Sequence, residues 1–231
     1  MEITKKVRLP KIKLNTCFSH DTSIEIGVDE AGRGPMLGRV YTAAVILPKD
    51  ESIFNHSLMK DSKKFTSVKK IQEAAEYIKK NAISWVVGYS TEQVIDTLNI
   101  RNATHRAMHD AIRGVINSLT YKPEQYHLLV DGNDFTPFIS YFNEQGFIQI
   151  STTCIEGGDN KYSAIAAASI LAKVSRDMYI EELCKEQPIL DERYGLLKNK
   201  GYGTKRHMDG IKEYGITQFH RKSFGICKQF L

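Results

Sequence analysis

The spacing of apolar residues along the chain predicts strands that alternate with helices. Ser23 to Val28 alternates apolar and polar residues, as a strand with one buried face does. Ser67 to Lys80 repeats its apolar residues at helical spacing, and Lys161 to Ile180 predicts a longer helix rich in small residues. The predicted strands are 23–28, 40–47, 82–89, 126–130 and 147–153, and the predicted helices are 67–80, one beginning at 91, 99–118 with a break at Gly114, 161–180 and 205–214.

The order of these elements indicates the fold class. Three strands come first, and the short connection between the first two favours an antiparallel pair. Strands mixed with helices follow, so we expect an α/β domain with a mixed sheet and a helical C-terminal part. The expected division is a basic N-terminal segment at 1–22, a central domain at 23–187 and a C-terminal helical extension at 188–231.

Composition narrows the class of protein only a little. The chain has 231 residues, of which 42% are hydrophobic and 26% charged, as in ordinary globular proteins. A net charge of +5 is compatible with a nucleic-acid ligand, although many other proteins share it. The four cysteines are widely spaced, and no segment has the length and apolar character of a membrane span or signal peptide. We therefore expect a monomeric cytoplasmic protein with free thiols and no membrane partner.

Four acidic residues lie where strands end or a helix begins. Asp29 and Glu30 end the first strand, Asp131 ends the strand at 126–130, and Asp159 precedes the alanine-rich helix. Carboxylates that converge there repel one another unless a cation joins them, and Mg²⁺ or Mn²⁺ prefers such oxygen ligands. Two such ions could hold a phosphodiester and activate a water. Asp159 could equally be a helix N-cap, and the other three acids could belong to ordinary turns.

Other segments offer chemistry with equally open alternatives. The turn Gly32-Arg33-Gly34 could bring its backbone and Arg33 close to a phosphate, or could be a simple tight turn. Tyr202 lies between two glycines, so its ring could stack on a ligand or pack on its own domain. Basic segments at 60–64, 198–207 and 220–224 suit phosphates, and are also typical of a solvated surface. His105, His127, His207 and His220 have no evident partner, and we assign them no role.

Taken together, the motifs resemble those of the ribonuclease HII family. The segment Ile26 to Pro35 resembles the opening signature of that family. Six further blocks follow in the order of the family and extend the resemblance over about 24–224: 61–64, 99–104, 129–133, 158–159 with 165–177, 200–204 and 220–224. A single block could be chance, but seven in order make chance a poor explanation.

The resemblance implies both a fold and a reaction. The implied fold is a ribonuclease H-like α/β fold, with a five-stranded mixed sheet flanked by helices and a C-terminal helical extension that binds substrate. The implied activity is endonucleolytic hydrolysis of the RNA strand of RNA/DNA hybrids, with nicking of DNA 5′ to embedded ribonucleotides, in ribonucleotide removal, replication and repair. The resemblance makes Asp29, Glu30, Asp131 and Asp159 the catalytic carboxylates that bind Mg²⁺ or Mn²⁺, with two ions expected.

The resemblance also implies how substrate is bound. Main-chain groups of Gly32, Arg33 and Gly34 would read the ribose 2′-hydroxyl, the group that distinguishes RNA from DNA. Tyr202 would stack on the sugar beyond the scissile phosphate. The implied phosphate contacts are Lys63, Lys64 and Ser223.

Three positions depart from the family pattern. Gly157 stands where a lysine is expected, Arg39 where a proline is expected, and Asn199 where a histidine is usual. None of them removes an implied metal ligand. The tail 229–231 has no convincing clamp-binding motif, so no sliding-clamp partner is predicted. A non-catalytic hybrid binder would have lost a metal ligand, and a resolvase-like nuclease has no reason to keep Gly201-Tyr202-Gly203-Thr204.

Overall fold

A five-stranded sheet lies at the centre of the protein. The computed structural model describes residues 13–143 and 145–230. Its strands are β1 (Ile24–Ala31), β2 (Val40–Ile46), β3 (Ser84–Ser90), β4 (Tyr126–Asp131), β5 (Ile139–Phe142), β6 (Gly146–Gln149) and β7 (Ser151–Ile155). Its helices are α1 (Val68–Asn81), α2 (Glu92–Asn117), α3 (Ser163–Glu186), α4 (Ile189–Tyr194), α5 (Leu196–Asn199) and α6 (Lys205–Tyr214).

The central sheet is mixed, with the strand order β3-β2-β1-β4-β7. The pairs β1–β2 and β2–β3 are antiparallel, whereas β1–β4 and β4–β7 are parallel. The predicted α/β class, the mixed sheet and the antiparallel first pair are therefore confirmed. Because β1 and β4 are parallel neighbours, their carboxyl ends lie side by side at one edge of the sheet.

Helices cover both faces of this sheet. Ile26 and Val28 of β1 pack in a buried cluster with apolar residues of α2. On the opposite face, α3 lies so close to β1 that a Cβ on Gly27 would stand 2.2 Å from the carbonyl carbon of Ala164. The small residues of α3 permit this approach, since larger side chains would hold the helix away from the strand.

The C-terminal part is helical and packs against the far end of α3. Ile180 and Leu183 of α3 share a buried cluster with Tyr194, Leu196 and Ile211 from α4, α5 and α6. The helix predicted at 205–214 is confirmed with the same bounds. The apolar cluster fixes this extension beside the carboxyl end of β1.

The strand predicted at 147–153 is wrong. The chain forms two strands there, because Ile150 leaves the sheet ladders and its N–H donates to the Phe138 carbonyl oxygen at 3.0 Å. β6 pairs with β5 in a separate two-stranded sheet, and β7 joins the central sheet. The hairpin partner β5 was not predicted at all.

The break predicted at Gly114 is also wrong. Helix α2 continues through Gly114, where a Cβ would lie 3.0 Å from Cγ1 of Val86 on β3. The absence of a side chain at Gly114 therefore allows α2 to pack closely against β3. The predicted boundary at Asn99 is confirmed, because its φ of 65° interrupts the helical backbone.

Some expectations fall partly outside the described residues. Of the basic segment 1–22, residues 1–12 lie outside them, as does Leu231 of the tail. The four cysteines are free thiols. Across the described ranges, no helix has both the length and the apolar character needed to cross a membrane.

Candidate active site

Two acids lie next to each other at the carboxyl edge of the sheet. The parallel register pairs Val28 of β1 with Val130 of β4, so Asp29 and Asp131 follow at the same height on adjacent strands. Neighbouring strands are about 4.8 Å apart, which brings the two carboxylates into one locality. The topology of the sheet therefore joins residues that are far apart in the chain.

Asp29 is almost fully buried beside α3. One of its carboxylate oxygens accepts the Glu30 N–H at 2.6 Å, and Ser169 of α3 also hydrogen-bonds to it. The Ser169 hydroxyl lies 3.0 Å from that of Ser62. Burial, followed by the negative charges of Glu30 and Asp131, raises the pKa of Asp29 well above its usual range.

Glu30 lies near the carboxylate of Asp131 and beside the guanidinium of Arg33. Its carboxylate lies 3.5 Å from a guanidinium nitrogen of Arg33. Burial raises the pKa of Glu30, Arg33 opposes that rise, and Asp131 adds to it. The net shift is upward, so the arrangement disfavours negative charge in the absence of a further cation.

Asp159 lies in a 3₁₀ turn, Gly158–Asn160, that precedes α3. The residue at the N-cap of α3 is Tyr162, so the capping alternative for Asp159 is wrong. Asp131 accepts the Gly158 N–H at 2.7 Å, which ties the end of β4 to this turn. Burial, then Asp61 and Asp131, raises the pKa of Asp159.

Asp61 is an additional acid that the sequence reasoning did not select. Asn160 donates to Asp159 at 2.9 Å and to Asp61 at 3.3 Å, so one amide bridges the two carboxylates. Burial raises the pKa of Asp61, but hydrogen bonds from the Lys63 N–H and from Asn160 outweigh burial and lower it. The only sequence signal for Asp61 was its place in the block 61–64.

A cleft of about 470 Å³ opens over these acids. Asp159 does not line it, whereas the other three predicted acids, the glycine-rich turn and Tyr202 do. The lining residues are Asp29, Glu30, Ala31, Gly32, Arg33, Gly34, Ser62, Lys63, Asp131, Ser169, Lys173, Arg176, Asp177, Lys198, Asn199, Lys200 and Tyr202. The cleft thus combines a cluster of acids with a surrounding of lysines and arginines.

Buried arginines hold the glycine-rich turn. Arg221 is fully buried and donates to the carbonyl oxygens of Gly32 at 2.6 Å, Arg33 at 2.9 Å and Gly38 at 2.8 Å. Across a planar trans peptide, a carbonyl and the next N–H point in opposite directions. The N–H groups of Arg33 and Gly34 therefore point away from Arg221, and within the described ranges neither makes a hydrogen bond.

A second arginine links this turn to the C-terminal extension. Arg176 of α3 donates to the carbonyl oxygens of Lys200 at 2.8 Å and Leu37 at 3.3 Å. Gly32 has a φ of +92°, and a Cβ there would stand 2.1 Å from Nε of Arg176. Glycine is therefore required by both backbone conformation and space. Neither Arg176 nor Arg221 was selected by the sequence reasoning.

Tyr202 lies at the rim of the cleft with 49% of its surface exposed. The Arg176 guanidinium is 5.9 Å from its ring centroid, and a Cβ on Gly34 would be 3.5 Å from the ring. The tyrosine therefore presents an open ring beside the glycine-rich turn.

The structure does not bring every predicted substrate residue to the cleft. Lys63 lines it, while Lys64 does not and hydrogen-bonds to the Asn160 side chain. The Ser223 hydroxyl donates to Asp96 at 2.6 Å, away from the residues that line the cleft. The histidines that had no assigned role are also absent from the lining, and His207 and His220 contact each other at 3.1 Å in the buried extension.

The acids are an oxygen-only set of potential metal ligands. Within residues 13–143 and 145–230, no group of three or more His, Cys, Asp or Glu side chains is already arranged to hold a metal ion. Burial, with a smaller contribution from repulsion between the carboxylates, nevertheless raises the pKa of Asp29, Glu30 and Asp159, and a divalent cation would offset both effects.

Comparisons with known proteins agree over nearly the whole chain. The family model described as Ribonuclease HII matches residues 26–227. The ribonuclease HII of Parabacteroides distasonis is 45% identical over 208 residues, which cover 90% of this chain and 93% of that protein. This identity and coverage establish the family.

Solved structures share the fold at lower identity. The ribonuclease H2 of Pyrococcus horikoshii OT3 has a TM-score of 0.65 and 24% identity, and the match covers 89% of this chain and 96% of that one. Bst-RNase HIII in complex with Mn²⁺ has a TM-score of 0.59 and 16% identity, and covers 83% of this chain and 70% of that one. The fold is thus the expected ribonuclease H-like α/β fold, and with the family match it follows that the chain belongs to the ribonuclease HII family and is a ribonuclease H.

Proposed function

We propose that this ribonuclease H hydrolyses the RNA strand of RNA/DNA hybrids and nicks DNA 5′ to embedded ribonucleotides, in ribonucleotide removal, replication and repair. The observation that carries the proposal is one cleft lined jointly by Asp29, Glu30 and Asp131, the Gly32–Gly34 turn and Tyr202. The three acids suit phosphodiester hydrolysis, and the turn and Tyr202 suit recognition of a ribose.

Asp29, Glu30, Asp131 and Asp159 would bind Mg²⁺ or Mn²⁺, with two ions the expected number. Carboxylate oxygens are the ligands these hard cations prefer, and the related Bst-RNase HIII was solved with Mn²⁺. Bound divalent cations at a phosphodiester polarise its oxygens, lower the pKa of a water and neutralise the leaving oxygen. The raised pKa values of Asp29, Glu30 and Asp159 support this assignment, because a cation would offset the charge that burial disfavours.

The protein residues themselves orient the acids and the substrate. Ser169 and the Glu30 N–H hydrogen-bond to Asp29, and the Gly158 N–H fixes one oxygen of Asp131. Such fixed carboxylates lose little freedom when they bind a ligand. Lys63 lies at the cleft and would contact a phosphate, while Lys64 and Ser223 are weaker candidates because both are engaged with other side chains.

Recognition of the ribonucleotide would depend on the backbone of the turn. The unpaired N–H groups of Arg33 and Gly34 can donate to a ribose 2′-hydroxyl, which deoxyribose lacks. The exposed ring of Tyr202 can stack on the adjoining sugar. Together these contacts favour a ribonucleotide followed by DNA.

Cleavage of a matched panel of duplexes tests the proposal. The panel contains an RNA/DNA hybrid, a DNA duplex with one ribonucleotide and an all-DNA duplex, each with Mg²⁺, Mn²⁺ or EDTA. The expected result is a metal-dependent cut in the first two and none in the third. Tight, salt-sensitive binding with no cut in either metal would leave a hybrid binder and contradict the proposed function.

A further inference from the structure

A cationic side chain is held between aromatic rings beside the glycine-rich turn. The Arg39 guanidinium lies 4.5 Å from the ring centroid of Tyr89 and 4.6 Å from that of Tyr179. Tyr41 packs against both rings, with centroid distances of 5.5 Å and 5.8 Å. These four residues, here called the Arg39 platform, hold one cation in a defined orientation.

The cation of the Arg39 platform has no carboxylate partner within the described ranges. Glu92, a buried acid beside the platform, accepts instead from the Tyr179 hydroxyl at 2.9 Å. Nε of Arg39 is buried without a hydrogen-bond partner. In contrast, Arg101 and Arg113 each pair with an aspartate.

The platform remains accessible, because Arg39 is partly exposed and Tyr89 is 49% exposed. A planar guanidinium fixed by stacking is well suited to phosphate, since little rotamer freedom remains to be lost on binding. The platform therefore has the charge, rigidity and exposure of an anion-binding surface.

The sheet register places this surface near the cleft. Tyr41 is opposite Ala31, two residues beyond Asp29 on β1, and Tyr89 is opposite Tyr41 on the next strand. From strand dimensions, Tyr89 lies about 12 Å from Asp29. With about 3.4 Å per nucleotide along a duplex, the platform is roughly three to four nucleotides from the acids.

We propose that the Arg39 platform binds a backbone phosphate of the duplex about three to four nucleotides from the cut. This inference rests on the proposed function, because it assumes that the cleft holds a nucleic-acid duplex. The resemblance implies a proline at the position of Arg39, so this contact is not among those that the resemblance implies. It extends the substrate surface beyond the predicted residues.

Duplexes of graded length test the contact. One ribonucleotide is kept in place while either arm is shortened from about eight to about two base pairs, a range that spans the estimated position of the contact. Binding is measured by fluorescence anisotropy in EDTA and KM by cleavage, for the wild type, Arg39→Gln and Arg113→Gln. Arg113→Gln is the matched control, because it removes the same charge beside Phe138, in the part of α2 remote from the cleft.

The wild type and Arg113→Gln should lose about threefold or more in affinity when the arm that reaches the platform is shortened. Arg39→Gln should bind the long-arm and short-arm duplexes with equal affinity. Its slope of log affinity against log salt should be less steep than that of the wild type by about 0.9, the value for one phosphate contact. Tyr89→Leu, which removes the exposed ring on one side of the guanidinium, should likewise reduce the difference in affinity between long and short arms.

An equal length dependence and salt slope in Arg39→Gln and the wild type would overturn the inference and leave the proposed function standing. A loss of affinity that is the same for every arm length would also overturn it, since misfolding affects all duplexes alike. If the wild type cuts no duplex but its binding depends on Arg39 and arm length, the proposed function fails and the contact remains.

Discussion

Arg221 should act as a positioning residue for ribonucleotide recognition, and Arg221→Met tests this. Its guanidinium is fully buried and donates to the carbonyl oxygens of Gly32, Arg33 and Gly38. Burial, and then the nearby Arg176, lowers the pKa of Arg221 below its usual range. Methionine keeps an unbranched stem but removes every donor, so the turn loses the groups that fix its peptide orientation.

The expected loss of stability follows from opposing effects. Hydrogen bonds from a charged donor contribute about 1.5–3 kcal/mol each, and three are lost. Removing a buried charge also relieves its desolvation, which offsets a large part of that loss. We expect a net decrease of about 3 kcal/mol in the free energy of unfolding, or roughly 6–12 °C in the thermal midpoint for a chain of this size.

The assay that isolates positioning compares substrates at temperatures where the variant is folded. For a duplex with one ribonucleotide, kcat/KM should fall about 10–100-fold, because displacement of catalytic or binding groups by about 1 Å has effects of that size. The preference for ribose over 2′-O-methylribose at the cut should narrow in Arg221→Met and remain in Arg193→Met, a control on α4. A lower thermal midpoint with unchanged ribose preference would contradict a positioning role, because Arg221 would then be only structural.

Three further predictions concern stability. Asp131→Asn removes a negative charge that raises the pKa of Asp29, Glu30 and Asp159. In EDTA, where no divalent cation offsets that charge, the thermal midpoint of the variant should exceed that of the wild type by about 2–6 °C. An unchanged midpoint would argue against repulsion between these carboxylates. Burial, and then His207, lowers the pKa of His220 to about 3. The unfolded chain therefore binds this proton first, so His220 by itself lowers the free energy of unfolding by about 1.4 kcal/mol for each unit that the pH falls between about 6.5 and about 3. Urea titrations should show a smaller loss of stability with falling pH in His220→Asn than in the wild type. Gly27→Ala would put its Cβ 2.2 Å from the Ala164 carbonyl carbon, and should destabilise by at least about 3 kcal/mol in urea unfolding, whereas wild-type stability would contradict that packing.

The sequence allowed the central sheet and its long helices to be predicted, because their apolar periods persist over many residues. The same kind of pattern did not reveal the hairpin of β5 and β6. The alternation runs unbroken through Ile150, so the pattern does not show that the chain changes its pairing partner there. Hydrogen-bond partners distant in sequence decide that boundary, and periodicity carries no information about them.

The candidate site was predicted in part, for similarly physical reasons. Strand ends and family blocks located the acids, the glycine-rich turn and Tyr202, which the structure brings together except that Asp159 does not line the cleft. Burial of a charged side chain cannot be inferred from its residue type, so Arg176 and Arg221 were missed although both lie within the matched blocks. Ser223 was expected to contact phosphate, but its bond to Asp96 depends on a tertiary contact that spacing cannot show.

Joint action of the acids and the glycine-rich turn is the basis of the proposed cleavage at a ribonucleotide. Its most direct test is to map the product ends from a DNA duplex with one ribonucleotide, with Mg²⁺ or Mn²⁺, for the wild type and Asp131→Asn. We expect one cut on the 5′ side of the ribonucleotide, leaving 3′-hydroxyl and 5′-phosphate ends, and we expect the folded variant to make no cut. A cut elsewhere, or full activity in Asp131→Asn, would contradict this joint action.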